Sequence, residues 1–350
     1  MSKTIGWDIG GAHLKMVALD ESGAVLQVLQ LPCPLWKGLN HLESAMNDAL
    51  QANNHKASGA CHAITMTGEL VDLFENRQQG VVEIANLAAK LLGKDTLFYA
   101  ANAGFVRLER VSEIWASIAS TNWHASASAL AMHVSDALLV DIGSTTTDII
   151  AIEAGKVKST ALSDASRMAD DSLVYSGVVR TPVMALAQKI AFEGAQVNVA
   201  AEYFATMADV YRLTDELLLE FDQAETADGK GKTALESARR LARMLGHDAE
   251  NKPLQTWKTL AATCKTLHMQ QIKTAILKHL KPSMTIIGAG AGSFLAKQIA
   301  DDLNQSFKHE FRQAWEPISM RLPEHINTDL KALETCFTAF AVAELARQHA

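Results

Sequence analysis

The triplet Asp-Ile-Gly occurs twice, as Asp8-Ile9-Gly10 and Asp141-Ile142-Gly143, each closing a short apolar run and each followed by a second run after a tight turn. Two apolar runs joined by a tight, glycine-bearing turn read as a β-hairpin. Superposed on the triplets, Asp8 falls on Asp141, Gly10 on Gly143, Lys15 on Asp148 and Asp20 on Glu153. The first copy extends into a meander over Thr4–Ile9, Leu14–Leu19 and Val25–Leu29. The second runs from Leu138 through Ile152 to the turn at Gly155. A meander has two faces to cover and cannot bury both alone, so its repetition constrains the chain to duplicated units, each completed by helices.

The rest of the sequence fits that expectation. Residues 39–50 and 81–92 have helical spacing, whereas 62–66 and 96–100 read as buried strands, which makes the first unit α/β. After the second meander, Thr181-Pro182 is expected to open a helix, and helical patterns follow over 199–212, 233–245 and 253–280. The polar stretch Glu225–Lys232 interrupts them as either a connector or a lid. A last strand at 284–287 meets Gly288-Ala-Gly290-Ala-Gly292 and a helix from Ser293. The 350 residues therefore divide into an α/β lobe over 1–133 and a second over 134–350, the latter with a mainly helical subdomain at about 182–281.

The chemistry concentrates at the two turns. Asp8-Ile-Gly10-Gly11 ends a strand in a carboxylate and then a turn without side chains, where backbone N–H groups approach an anion closely. The second turn adds four hydroxyls, Ser144, Thr145, Thr146 and Thr147, between Gly143 and Asp148, and reads as the stronger phosphate cradle. Asp8 and Asp141, expected to face each other across a cleft, are hard oxygen ligands suited to Mg²⁺ shared with substrate phosphates. Asp148 belongs to the same network, and Lys15 or Arg180 supplies positive charge for phosphate oxygens. Glu69 and Asp164 are candidate general bases. Gly288–Gly292 lacks the third glycine of a dinucleotide fingerprint, since Ser293 stands at its place, which excludes a Rossmann reading.

Composition narrows the partners. A net charge of −7 leaves no electrostatic footprint for nucleic acid or an anionic membrane, so small molecules are the expected ligands. Cys33, Cys61, Cys264 and Cys336 lie far apart without zinc spacing and read as reduced thiols of a cytoplasmic protein. The start of the chain has no signal-peptide pattern, and no apolar run is long enough to span a bilayer. The oligomeric state stays open, a homo-oligomer being compatible.

The ordered set of two Asp-Gly hairpins and a late strand–glycine–helix resembles the actin/hexokinase-like (ribonuclease H-like) superfamily. There the hairpins are phosphate loops and the late turn is the adenosine loop. Asp141–Asp148 is also similar to the hydantoinase A/oxoprolinase branch. A narrower resemblance runs through 8–15, 65–70, 122–126, 174–182, 201–211 and 226–229, to a family found beside tetrahydromethanopterin-linked one-carbon enzymes. Its archaeal members include the condensing enzyme of methanofuran biosynthesis. The resemblance implies an alkyl transfer that joins an aminomethylfuran-methyl diphosphate to the phenol oxygen of γ-glutamyl-tyramine, releasing pyrophosphate. The fold alone equally permits an ATP-dependent small-molecule kinase or a hydantoinase/oxoprolinase-like hydrolase. Ala12 stands where the superfamily's first hairpin carries a hydroxyl, which weakens the expectation of ATP. Tyr175, Tyr203, Phe204 and Tyr211 are candidates for an aromatic pocket.

Overall fold

The computed structural model describes residues 3–52, 59–159, 161–217, 222–306, 316–317 and 330–349. The chain divides into two compact units, one formed by 1–136, 152–163 and 318–350, the other by 137–151 and 164–317.

In the first unit, β1 (Thr4–Ile9), β2 (His13–Leu19) and β3 (Val25–Pro32) form the expected meander. Helix α1 (Leu39–Ala52) leads to β4 (Cys61–Met66), and α2 (Arg77–Leu92) to β5 (Leu97–Tyr99) and β6 (Phe105–Val106). The sheet order is β3-β2-β1-β4-β5-β6, with β1 and β4 parallel, so that Asp8 pairs in register with Thr65 on one side and Lys15 on the other. Alternation along β1 sends Ile5, Trp7 and Ile9 into a core with Met46, Ile84 and Phe98. Short helices α3 (Leu108–Val111) and α4 (Trp115–Ile118) precede α5 (Asn122–Ala131). The C-terminal helix Phe337–His349 belongs to this unit, with Val342 and Ala346 packed in one cluster with Ala63, Tyr99 and Ala125.

The second unit begins with β7 (Ala137–Ile142) and β8 (Thr147–Glu153), neighbours in a second sheet. The end of β8 and the short β9 (Lys156–Val157) count with the first unit. After α6 (Asp164–Ala169) and β10 (Leu173–Val174), the chain departs from the helical expectation. Pro182 caps only a single 3₁₀ turn at Val183–Ala185, and β11 (Lys189–Phe192) and β12 (Ala195–Asn198) form a hairpin. Its cause is local: Ile190 and Phe192 are buried while Lys189 and Ala191 are exposed, a period of two, and Glu193-Gly194 supplies a turn with both φ angles positive. Instead of spanning 199–212, the helix α7 runs from Met207 to Leu213, started by a capping box between Thr206 and Asp209.

Helix α8 (Ala234–Arg243) has the same device in Thr233 and Glu236. Helix α9 (Leu254–His279) buries a stripe of Trp257, Leu260, Ala261, Cys264, His268, Ile272, Ala275 and Ile276 at helical spacing. Strand β13 (Thr285–Ala289) then lies parallel to β7, with Ala289 opposite Asp141, and leads into α10 (Ser293–Ser306) and β14 (Glu316–Pro317). Among the described residues no helix is long and apolar enough to cross a membrane.

Candidate functional site

The second turn is the better-defined site. Gly143 N–H donates to the Thr146 carbonyl (2.8 Å), closing the β7–β8 turn. The loop 176–180 holds the turn from beside: Val178 N–H donates to Gly143 O (3.1 Å), and Val179 and Arg180 N–H groups to Ser144 O (3.1 and 2.8 Å). Ser144, Thr145 and Thr146 are half-buried, with the Ser144 and Thr145 hydroxyls 3.4 Å apart, and Arg180 is exposed next to the Ser144 carbonyl that its N–H bonds. The glycine turn after β13 lies against the same strand end. Gly290 has φ +77, and a Cβ there would stand 2.4 Å from both Asp141 Oδ1 and Ile142 O, so only glycine fits the approach. Gly292 N–H donates to Ile142 O (2.8 Å), whereas Gly288 lies within β13 opposite Val140. Asp141, the hydroxyl-bearing turn and Gly290 thus converge on one strand end.

Two members of the expected set face elsewhere. Thr147 is fully buried and its hydroxyl donates to Ser176 O (2.7 Å), so it is engaged inside the protein. Asp148, also buried, accepts from Arg167 Nη2 at 2.7 Å, and Arg167 braces Ser172 O as well (2.9 Å). Burial pushes the Asp148 carboxyl above the ordinary carboxylate range, and Arg167 pulls it back. Its part is to hold β8 and α6 together. Asp164, the first residue of α6, is half-buried. Tyr211 cannot join an aromatic pocket, because it is fully buried with its hydroxyl 2.7 Å from His268 Nδ1, while Tyr175, Tyr203 and Phe204 are exposed.

The first turn has a different character. Asp8 is buried, with Lys15 Nζ 3.7 Å from Oδ2, so the lysine faces the carboxylate. Thr65 Oγ1, in register with Asp8 and fully buried, finds no protein hydrogen-bond partner among the described residues. Gly10 and Gly11 are half-buried. The loop after β4 lies against them: Thr67 N–H donates to Ile9 O (2.9 Å), and a Cβ on Gly68 would come within 3.3 Å of Gly10 O. The next residue, Glu69, is enclosed; burial raises its pKa, against hydrogen bonds from Ser120 and Arg77 that lower it. Ser120 and Arg77 carry no motif of their own, and only their convergence in space marks them. A cavity of about 900 Å³, lined by Cys61, His62, Leu92, Thr96, Leu97 and Arg107 among others, lies at the opposite, amino-terminal ends of β4 and β5.

Among the described residues no three His, Cys, Asp or Glu side chains cluster as a metal cage. The donors at each strand end still suit Mg²⁺, which takes one or two carboxylates and completes its shell with water and substrate phosphate. One such carboxylate stands at each strand end: Asp8, which faces Lys15, and Asp141, which lies against the Gly290 turn.

The Glu225–Lys232 stretch is tied into the helices. Asp209, on α7, accepts from Arg212 Nη1 and Arg240 Nε (2.8 Å each), and Arg240 also donates to Asp228 Oδ1 (2.9 Å) and Gly231 O (3.1 Å). Arg212 Nε donates to Asp222 (2.8 Å). All but Asp228 and Gly231 in this set are buried, so the stretch is a braced connector.

A family model described as hydantoinase/oxoprolinase matches residues 60–316. The (4-{4-[2-(gamma-L-glutamylamino)ethyl]phenoxymethyl}furan-2-yl)methanamine synthase of Methanocaldococcus jannaschii is 33% identical over 247 residues, covering 70% of this chain and 72% of that protein. The synthase of the same name from Methanococcus vannielii is 39% identical over 111 residues, 32% of this chain and 50% of that protein. Among solved structures, nucleotide-free acetone carboxylase aligns with a TM-score of 0.57 at 9% identity, over 97% of this chain and 70% of that one. A ROK family glucokinase from Streptomyces griseus aligns with a TM-score of 0.49 at 14% identity, over 99% of this chain and all of the other. The fold is actin/hexokinase-like. With the family model covering most of its length and a relative of this identity matched over most of both chains, the protein belongs to the hydantoinase/oxoprolinase family.

Proposed function

We propose that this protein is a Mg²⁺-dependent alkyltransferase of methanofuran-type cofactor synthesis, which couples an aminomethylfuran-methyl diphosphate to γ-glutamyl-tyramine and releases pyrophosphate. The observation that carries the reading is the 33% identity to a named synthase over 72% of that protein's length. The phosphate-suited turn at Ser144–Thr146 supports it on independent, geometric grounds.

In this reaction the methylene carbon loses its bond to a diphosphate oxygen and gains one to the phenol oxygen, and the phenol proton passes to a base. Negative charge grows on the departing diphosphate, so donors fixed before the reaction lower the barrier most. We assign that part to the backbone N–H groups and hydroxyls of Ser144, Thr145 and Thr146, Gly143 N–H being spent on Thr146 O, with Arg180 beside them. Bound Mg²⁺, held by Asp141, would neutralise diphosphate oxygens. At the first turn, Gly10, Gly11 and Lys15 offer a second set of groups for phosphate oxygens, with Asp8 orienting Lys15. Of the two candidate bases, the half-buried Asp164 suits proton transfer better than Glu69, which is enclosed.

The test is pyrophosphate release by the purified protein with Mg²⁺ and both substrates, beside an ATP-only control, with mass analysis of the product. Pyrophosphate dependent on both substrates, together with the coupled ether, is expected. Asp141→Asn should lower turnover by about 100-fold or more while the protein stays folded. Phosphate release from ATP without coupling would overturn the reading in favour of a kinase or hydrolase.

A further inference from the structure

The cavity of about 900 Å³ at the amino-terminal ends of β4 and β5 lies at the far end of the first unit's sheet from the Gly10 turn. Its size falls in the range of small-molecule sites, about 300–1,000 Å³. Leu50, Leu91, Leu92 and Leu97 line it, and each is only half-buried, so apolar surface is left for an occupant to cover. His62 lines it as well and is 6% exposed. Its Nδ1 accepts from Trp7 Nε1 (3.1 Å), which puts the proton of the neutral ring on Nε2. Burial lowers the His62 pKa to about 4, so the ring is neutral at pH 7. Nε2–H has no protein acceptor among the described residues, and it is not enclosed. A donor so placed is satisfied only by water or by the acceptor of a ligand.

The charges of the lining give that acceptor its sign. Asp95 and Arg107 pair with each other at 2.9 Å, which leaves Lys94, exposed and without an ion pair among the described residues, as the uncompensated charge. Lys94 also offsets the partial negative charge of the α2 carboxyl end at Leu92. We propose that this cavity binds a small apolar carboxylate, whose oxygen accepts from His62 Nε2–H and whose body covers the four leucines. The site is separate from the turn at the other end of the same strand: along β4, Cys61 and His62 stand beside Thr4 and Ile5, whereas Thr65 stands beside Asp8. The inference goes beyond the alkyltransferase reading and does not depend on it.

The experiment is a calorimetric titration of the full chain with 3-phenylpropionate, and with 3-phenylpropanol as its uncharged counterpart. The carboxylate should bind with a Kd of about 1 mM or tighter, as suits so small a ligand, and the alcohol about 10-fold more weakly. Lys94→Ala, at an exposed position, should weaken the carboxylate about threefold and leave the alcohol unchanged. His62→Phe removes the donor but keeps a ring, and should weaken the carboxylate about 10-fold or more. Trp7 loses its acceptor in that variant, so a second readout on the wild-type chain stands beside it. Cys61 lines the cavity and is half-buried, whereas Cys33, Cys264 and Cys336 are buried, so N-ethylmaleimide should label Cys61 first. Saturating 3-phenylpropionate should slow that labelling about fivefold or more. Mg²⁺-pyrophosphate should leave the Kd unchanged. No binding by the wild-type chain, equal affinity for acid and alcohol, wild-type affinity in both variants, or undiminished labelling of Cys61 would each overturn the assignment. Loss of binding in the presence of pyrophosphate would place the probe at the phosphate-suited turns and overturn it as well.

Discussion

Arg240→Met tests whether the buried charges of the second unit hold the 225–232 connector in place. Arg240 is fully buried, and methionine keeps much of its volume while removing every donor. The substitution deletes the bonds to Asp209 (2.8 Å), Asp228 (2.9 Å) and Gly231 O (3.1 Å). Removing one partner of a buried ion pair costs about 3–5 kcal/mol, because the other charge stays desolvated. Asp209 keeps Arg212 at 2.8 Å, which places the expected loss near the lower end, at about 3 kcal/mol. Arg239 is the internal control. It is adjacent in sequence and pairs with Glu250 at 2.5 Å, but both side chains are about half exposed and solvent screens the pair, so Arg239→Met should leave stability close to that of the wild type. Native-state hydrogen exchange over 222–233 reads the difference directly, since local opening limits exchange there. Arg240→Met should speed exchange of that segment by about two powers of ten, and Arg239→Met by less than about tenfold. Equal protection in the two variants would refute the bracing argument.

Two further outcomes follow from other parts of the molecule. Gly290→Ala puts a Cβ 2.4 Å from Asp141 Oδ1 at a φ of +77, whereas Gly246→Ala, at φ +74, meets nothing within 4 Å. Both pay the left-handed cost of about 1–2 kcal/mol, but only Gly290→Ala should also cut pyrophosphate release by about tenfold or more; equal turnover in the two would separate this turn from the chemistry. His62, whose Nδ1 accepts from Trp7 Nε1 (3.1 Å), is lowered by burial from 6.5 to about 4. Its depressed pKa means that it favours the folded state fully above pH 6.5 and loses that contribution, about 3 kcal/mol, as pH falls towards about 4. In urea titrations the stability gap between wild type and His62→Gln should therefore narrow by that amount between pH 7 and pH 4, and a gap independent of pH would contradict it.

Much of the site was legible in the sequence because hairpins announce themselves locally. Asp-Ile-Gly at the end of an apolar run, repeated, was enough to locate β1–β2, β7–β8 and the turns that carry Gly10, Gly11 and Ser144–Thr146. Strands β4, β5 and β13 and helices α1, α2 and α10 also followed from periodicity. The hairpin at 189–198 was missed because its four-residue strands are too short for a period of two to stand out against the neighbouring apolar residues.

What the sequence by itself determined was the duplication, the α/β class, the two glycine turns and the hydroxyl run, all of which depend on backbone sterics and spacing within about ten residues. Which of those groups still face a ligand was decided only in three dimensions. Thr147 and Asp148 are two and three residues beyond Thr145; as neighbours on β8 they leave the strand on opposite faces, and Ser176 engages one while Arg167 engages the other, so both are buried. The Gly290 turn reaches Asp141 only because β13 pairs with β7 across a long stretch of intervening chain. Arg77, Glu69 and Ser120 meet only because the strand end of β4, the start of α2 and the segment before α5 converge. Side-chain direction and long-range pairing depend on the partner that each element packs against, and that partner is set by the fold as a whole.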